Sequence, residues 1–130
     1  HLINKYKLTN SIKILNFKKN PYPYIKKSDV FILSSIFEGL PNVLLEALTL
    51  NKFIISSNCP TGPSEILDNG KGGLLFKMKN SDDLKKKILF YSRNKKICLR
   101  KIKYAKKRLS SFDYNINMNK YLKLVNSISL

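Results

Sequence analysis

The chain has 130 residues, 43% hydrophobic and 11% aromatic, with 25 basic side chains against 8 acidic ones and a net charge of +17. That composition fits one globular domain able to bury a core and excludes a disordered chain. No run approaches the roughly 18 apolar residues of a membrane span, no signal-peptide pattern is visible, and Cys59 and Cys98 match no metal-ligand spacing or disulfide framework. A reduced cytosolic setting is the expectation.

The chain opens on His1 and runs directly into helical spacing at Leu2, Ile3 and Tyr6. It is therefore expected to be a piece of a longer protein. Ile12 to Phe17, apolar and partly β-branched, predicts a strand, with Asn16 able to take left-handed backbone near its end. Pro21 and Pro23, interleaved with Tyr22 and Tyr24, predict a turn followed by a short helix over Tyr24 to Lys27. Val30 to Leu33 is a continuous apolar run, as expected of a strand buried on both faces.

The next helix is expected to start near Pro41 and end about Leu50, with Val43, Leu44, Ala47 and Leu48 as its apolar stripe. Phe53 to Ser57 predicts a second buried strand. Asn58 to Pro63 is a loop, Ser64 to Leu67 a short helix, and Leu74 to Phe76 a third strand. Ser81 is expected to cap a helix carrying Asp82 and Asp83 in its first turn and Leu84, Ile88 and Tyr91 on one face. Cys98, Ile102, Ala105 and Leu109 mark another helix, and Tyr114, Met118, Tyr121 and Val125 a last one. Alternating strands and helices predict an α/β fold with a parallel sheet. The terminal helices need partners, some of which we expect to lie in a missing lobe.

Two charge patterns stand out. Twelve of the 25 bases lie between Lys85 and Arg108 with no acid among them. This run reads either as a solvated helix face or as attraction to an anionic membrane. Nucleic acid is not expected, since no recognition helix, aromatic platform or zinc module accompanies the charge. The three glutamates, Glu38, Glu46 and Glu65, all fall within one 28-residue window of a chain that otherwise avoids Glu. Glu38 and Glu46 lie eight positions apart, one at the carboxyl edge of a strand and one in the second turn of the following helix. Open parallel sheets bind ligands at that edge, and a helix amide end favours phosphate.

The stretches Asp29 to Ser35, Glu38 to Leu48 and Cys59 to Leu67 resemble, in that order, the group 1 glycosyltransferases, glycosyltransferase family 4, over about Ile12 to Phe90. The resemblance implies a Rossmann-like sheet flanked by helices, the carboxyl-terminal, donor-binding lobe of a GT-B fold. Residues 1–130 would form that incomplete lobe, with the sheet and motifs up to about residue 80, helices beyond, and the amino-terminal acceptor lobe absent. By resemblance, Glu46 would accept hydrogen bonds from both ribose hydroxyls of a nucleotide-sugar. Glu38 would sit beside the anomeric centre. Gly39, Leu40, Pro41 and Asn42 would line the diphosphate or sugar, and Phe17 and Lys18 the nucleobase. The plainer readings are Glu46 as a surface acid paired with lysine, Glu38 as a cap on the next helix, and Phe17 as core.

The implied activity is a retaining transferase moving a sugar from a UDP-sugar, N-acetylhexosamine among the candidates, to a glycan or lipid-linked acceptor in bacterial polysaccharide or lipopolysaccharide synthesis. It needs no metal or other cofactor. The implied location is the cytoplasm, against the inner face of the membrane. Asn58 replaces a common Asp. The family's Arg and Lys for the leaving diphosphate would lie ahead of His1, so this stretch alone is expected to catalyse nothing. A UDP-sugar epimerase and a basic nucleic-acid module are the alternatives.

Overall fold

A computed structural model describes residues 2–128. The elements run α1 (Leu2–Lys5), α2 (Tyr22–Lys27), β1 (Val30–Leu33), α3 (Asn42–Thr49), β2 (Phe53–Ser57), α4 (Pro63–Ile66), β3 (Leu74–Phe76), α5 (Ser81–Arg93), α6 (Lys95–Arg108), a 3-10 turn (Leu109–Phe112) and α7 (Tyr114–Ile128). His1 lies outside the described residues.

The three strands form one parallel sheet in the order β1-β2-β3. Val30 aligns with Phe53 and Leu33 with Ser56, while Ile55 aligns with Leu74 and Ser57 with Phe76. The central strand β2 is buried at all five positions. Its alternating side chains feed two cores, because successive strand residues point to opposite faces. Ile54 packs with Leu44, Ala47 and Leu48 of α3 and with Ile66 and Leu67. Phe53 and Ile55 pack with Phe76 and with Cys98 of α6. Helices on both faces are what a parallel sheet requires. Burial pushes the Cys98 thiol up from its ordinary range, and both cysteines are free.

The sequence expectations meet the structure closely in the middle of the chain and poorly near its start. Ile12 to Phe17 forms no strand. Ile14 and Phe17 are exposed, so nothing compensates their backbone and side chains in sheet form. Asn16 is not among the left-handed residues. β1 is half-buried rather than covered on both faces, with Ile32 exposed, because it forms the edge of the sheet. Pro41 is the extended residue before α3 rather than its first helical position. Asn80, not Ser81, caps α5, its side chain accepting from the Asp83 amide at 2.8 Å. The stripe expected on the last helix exists, but Tyr114 and Tyr121 remain exposed and α7 buries no residue.

Candidate functional site

The carboxyl ends of β1 and β2 lie side by side, and the two loops leaving them are packed together. Ser57, the last residue of β2, donates its hydroxyl to the Ser35 carbonyl at 2.6 Å. Gly62 takes a φ of +69°, and a Cβ there would fall 2.1 Å from the Gly39 carbonyl oxygen and 2.4 Å from Pro41 Cδ. Only glycine permits both that backbone and that approach. Glu38 is half-buried within this loop, while Gly39 and Leu40 are exposed at its turn.

Pro41 then leads into α3 with ψ near 92°, and no side chain caps the helix. The first amides of α3 are therefore free of a competing side-chain acceptor, and the helix dipole favours an anion in front of them. Leu44, Ala47 and Leu48 anchor the helix in the core. Burying a leucine of this kind contributes about 1.5–3 kcal/mol, so α3 is a fixed support for its other face.

That other face carries Asn42 and Glu46, four residues apart and hence neighbours on one side. Both line a cleft of about 550 Å³ with Leu45, Thr49, Leu50 and Tyr22. Such a volume falls in the range of small-molecule clefts. Glu46 is half-buried there. Among the described residues neither Glu38 nor Glu46 forms an ion pair; those pairs belong to Asp68 and Asp83. A pairing of Glu46 with lysine is thus not seen, nor is Glu38 capping α3. An ionised carboxylate is acceptor-only and can receive two donors, which suits a vicinal diol.

The structure brings Asn42 and Glu46 together and joins Glu38, Gly39 and Pro41 to them through one loop. It does not bring Phe17 and Lys18 into that cleft. Phe17 is 91% exposed, which also removes the core reading. Lys18 lines a separate cavity of about 410 Å³ with Lys19, Asn20, Pro23, Tyr24 and Lys27. The aromatic ring in the Glu46 cleft is instead Tyr22. The sequence reading took Tyr22 as part of a turn; its placement directly after Pro21, at the start of α2, was the available signal. Among the described residues no three His, Cys, Asp or Glu side chains stand together as a metal site, and no helix is long and apolar enough to cross a membrane.

The sequence profile of the family described as "Glycosyl transferases group 1" matches residues 1–108. The chain is 32% identical over 120 residues to the N,N'-diacetylbacillosaminyl-diphospho-undecaprenol alpha-1,3-N-acetylgalactosaminyltransferase of Campylobacter jejuni, covering 92% of this chain and 32% of that protein. It is 52% identical over 66 residues to an uncharacterized glycosyltransferase of Methanocaldococcus jannaschii, covering 51% of this chain and 16% of that protein. In both cases the match spans a third or less of the relative's length. Among solved structures, a glycosyltransferase from Rickettsia africae superposes with a TM-score of 0.83 at 23% identity, over 98% of this chain and 34% of that one. The Anabaena HepE structure in complex with UDP gives 0.82 at 20% identity, over 96% and 34%. These likenesses place the fold, a parallel sheet flanked by helices, among GT-B structures.

Proposed function

The chain belongs to the group 1 glycosyltransferases, and on that premise we propose that it is the carboxyl-terminal, donor-binding lobe of a retaining enzyme using a UDP-sugar. The observation that carries the reading is Glu46: a half-buried carboxylate without a basic partner among the described residues, in a chain of net charge +17, facing a cleft beside an uncapped helix start.

Glu46 would accept the 2′- and 3′-hydroxyls of the ribose. The amides of Gly39, Leu40 and Asn42 would face the diphosphate, where the α3 dipole stabilises negative charge. Pro41 has no amide to offer and fixes the chain between those donors. Glu38 would stand at the sugar, near the anomeric carbon, where a carboxylate stabilises developing positive charge. Tyr22 would flank the nucleoside. The HepE structure holds UDP, which supports uridine as the base. The C. jejuni relative's name supports an N-acetylhexosamine donor and a lipid-linked acceptor. The reading assigns no step to a metal.

We place the enzyme at the inner face of the membrane, with the bases of α5 and α6 turned to anionic lipid. Flotation with phosphatidylglycerol vesicles and not with phosphatidylcholine vesicles is the expected result. Binding that ignores the anionic lipid would contradict that placement. The donor reading is tested by titrating UDP, GDP and ADP into the chain while following amide resonances. UDP should bind tightest and shift Gly39, Leu40 and Asn42. Equal binding of all three, or shifts confined to other elements, would count against it.

A further inference from the structure

Thr61, in the β2–α4 loop, is built to hold Glu38. Its hydroxyl oxygen lies 2.6 Å from the Glu38 carbonyl oxygen and 2.6 Å from the Pro60 carbonyl oxygen. A hydroxyl has one proton to donate, so this is a shared bond across the two loops. The backbone that aims it is unusual. Thr61 has a φ of +62°, a region that β-branched residues seldom occupy. Such outliers persist only where their surroundings over-determine them, and they gather at functional sites.

The surroundings here are explicit. Gly62 packs against the Gly39 carbonyl and Pro41 with no room for a side chain, so the turn and the Glu38 loop lie in direct contact. Pro63 follows, buried at the start of α4. A glycine or asparagine at position 61 would accept the same backbone with less strain. Neither of those residues carries a hydroxyl to reach the Glu38 carbonyl as Thr61 does. What it adds is a grip on the residue placed at the sugar.

We propose that Thr61 is a positioning residue: its hydroxyl holds the Glu38 carbonyl and thereby sets the direction of the Glu38 side chain and of the Gly39, Leu40 and Asn42 amides toward the donor. The proposal rests on the donor reading above, and Thr61 itself need touch no substrate.

The test uses the chain with Thr61→Ser, Thr61→Val and Thr61→Gly, with Glu46→Ala as the marker of the donor site. UDP affinity and the amide resonances of Gly39, Leu40 and Asn42 are measured, with Ala105, buried on α6, as reference. Val and Gly, both lacking the hydroxyl, should weaken UDP about tenfold, the scale of one hydrogen bond, and move the loop resonances while Ala105 stays. Ser should remain within about twofold of the parent chain, since it restores the donor. Should Val fail to fold, Gly carries the test, because it takes the positive φ freely.

Wild-type affinity and unmoved loop resonances in Val and Gly would overturn the proposal, and a simultaneous loss in Glu46→Ala would leave the donor reading standing. A Ser variant as weak as Val would also overturn it. If the unaltered chain ignores UDP, the donor reading fails instead. The grip on Glu38 is then judged by the resonances alone: displaced in Val and Gly and restored in Ser supports it, and unmoved overturns it.

Discussion

Asp68 and Glu46 are carboxylates of the same strongly basic chain, in regions that treat them oppositely. At the junction of α4 with α6, Asp68 accepts the Tyr104 hydroxyl and meets Lys71 at 3.2 Å and Arg108 at 3.3 Å. Arg108 also reaches the Glu65 carbonyl, so the cluster ties α6 to the turn after α4. At the rim of the sheet, Glu46 lies in an open cleft and Glu38 in a clamped loop, neither with an ion-pair partner among the described residues. An acid that serves the fold is saturated by it. An acid without a partner keeps its acceptor capacity open to solvent or to a ligand.

The contrast can be broken most severely at Gly62. Gly62→Ala should cost about 1–3 kcal/mol through its positive φ alone, with the overlap against Gly39 added, and urea unfolding would measure it. The effect belongs to the rim, so the Asp68 cluster should keep its titration. Glu46→Ala should weaken UDP by about 1.5–3 kcal/mol, the range of hydrogen bonds to a charged group, while stability moves by no more than about 0.5 kcal/mol. A large stability loss without a binding loss would make Glu46 a structural acid.

Asp68→Asn should give the reverse result: a lower unfolding midpoint at neutral pH and unchanged UDP affinity. Its pH signature follows from direction. The Tyr104 hydrogen bond first, then that of Lys71, then the Lys71 and Arg108 charges, lower the Asp68 pKa from its ordinary 3.8. The unfolded chain therefore binds this proton at higher pH than the folded one, so the stabilisation is complete above about 3.8 and fades as pH falls through the folded value. Asp68→Asn should lose that acid-side slope. The smallest effect is Tyr104→Phe, which should raise the Asp68 pKa toward 3.8 in a carbon-detected titration and leave the fold intact.

What could be read ahead of the structure follows the same division. β2 and α3 were legible because each buries a run that matches its element: five successive buried residues in Phe53 to Ser57, and helical spacing at Leu44, Ala47 and Leu48. The positions of Glu38 and Glu46 were legible for the same reason, since the end of β1 and the helix α3 locate both acids. Ile12 to Phe17 misled because a β-branched apolar run is only a strand when a neighbour pairs with it, and β1 is left as an edge. Phe17 and Lys18 were carried to the nucleotide with that strand and fell out of the cleft with it. Neither the cleft position of Tyr22 nor the role proposed for Thr61 was read from the sequence. One depends on how α2 packs against α3, and the other on an improbable backbone angle that no spacing announces.

The ribose grip of Glu46 is the centre of the account, and comparing UDP with 2′-deoxy-UDP on the unaltered chain and on Glu46→Ala tests it most directly. The unaltered chain should prefer UDP, and Glu46→Ala should bind the two alike, so that the carboxylate and the 2′-hydroxyl show a coupling energy. The same preference for UDP in both proteins would contradict the account.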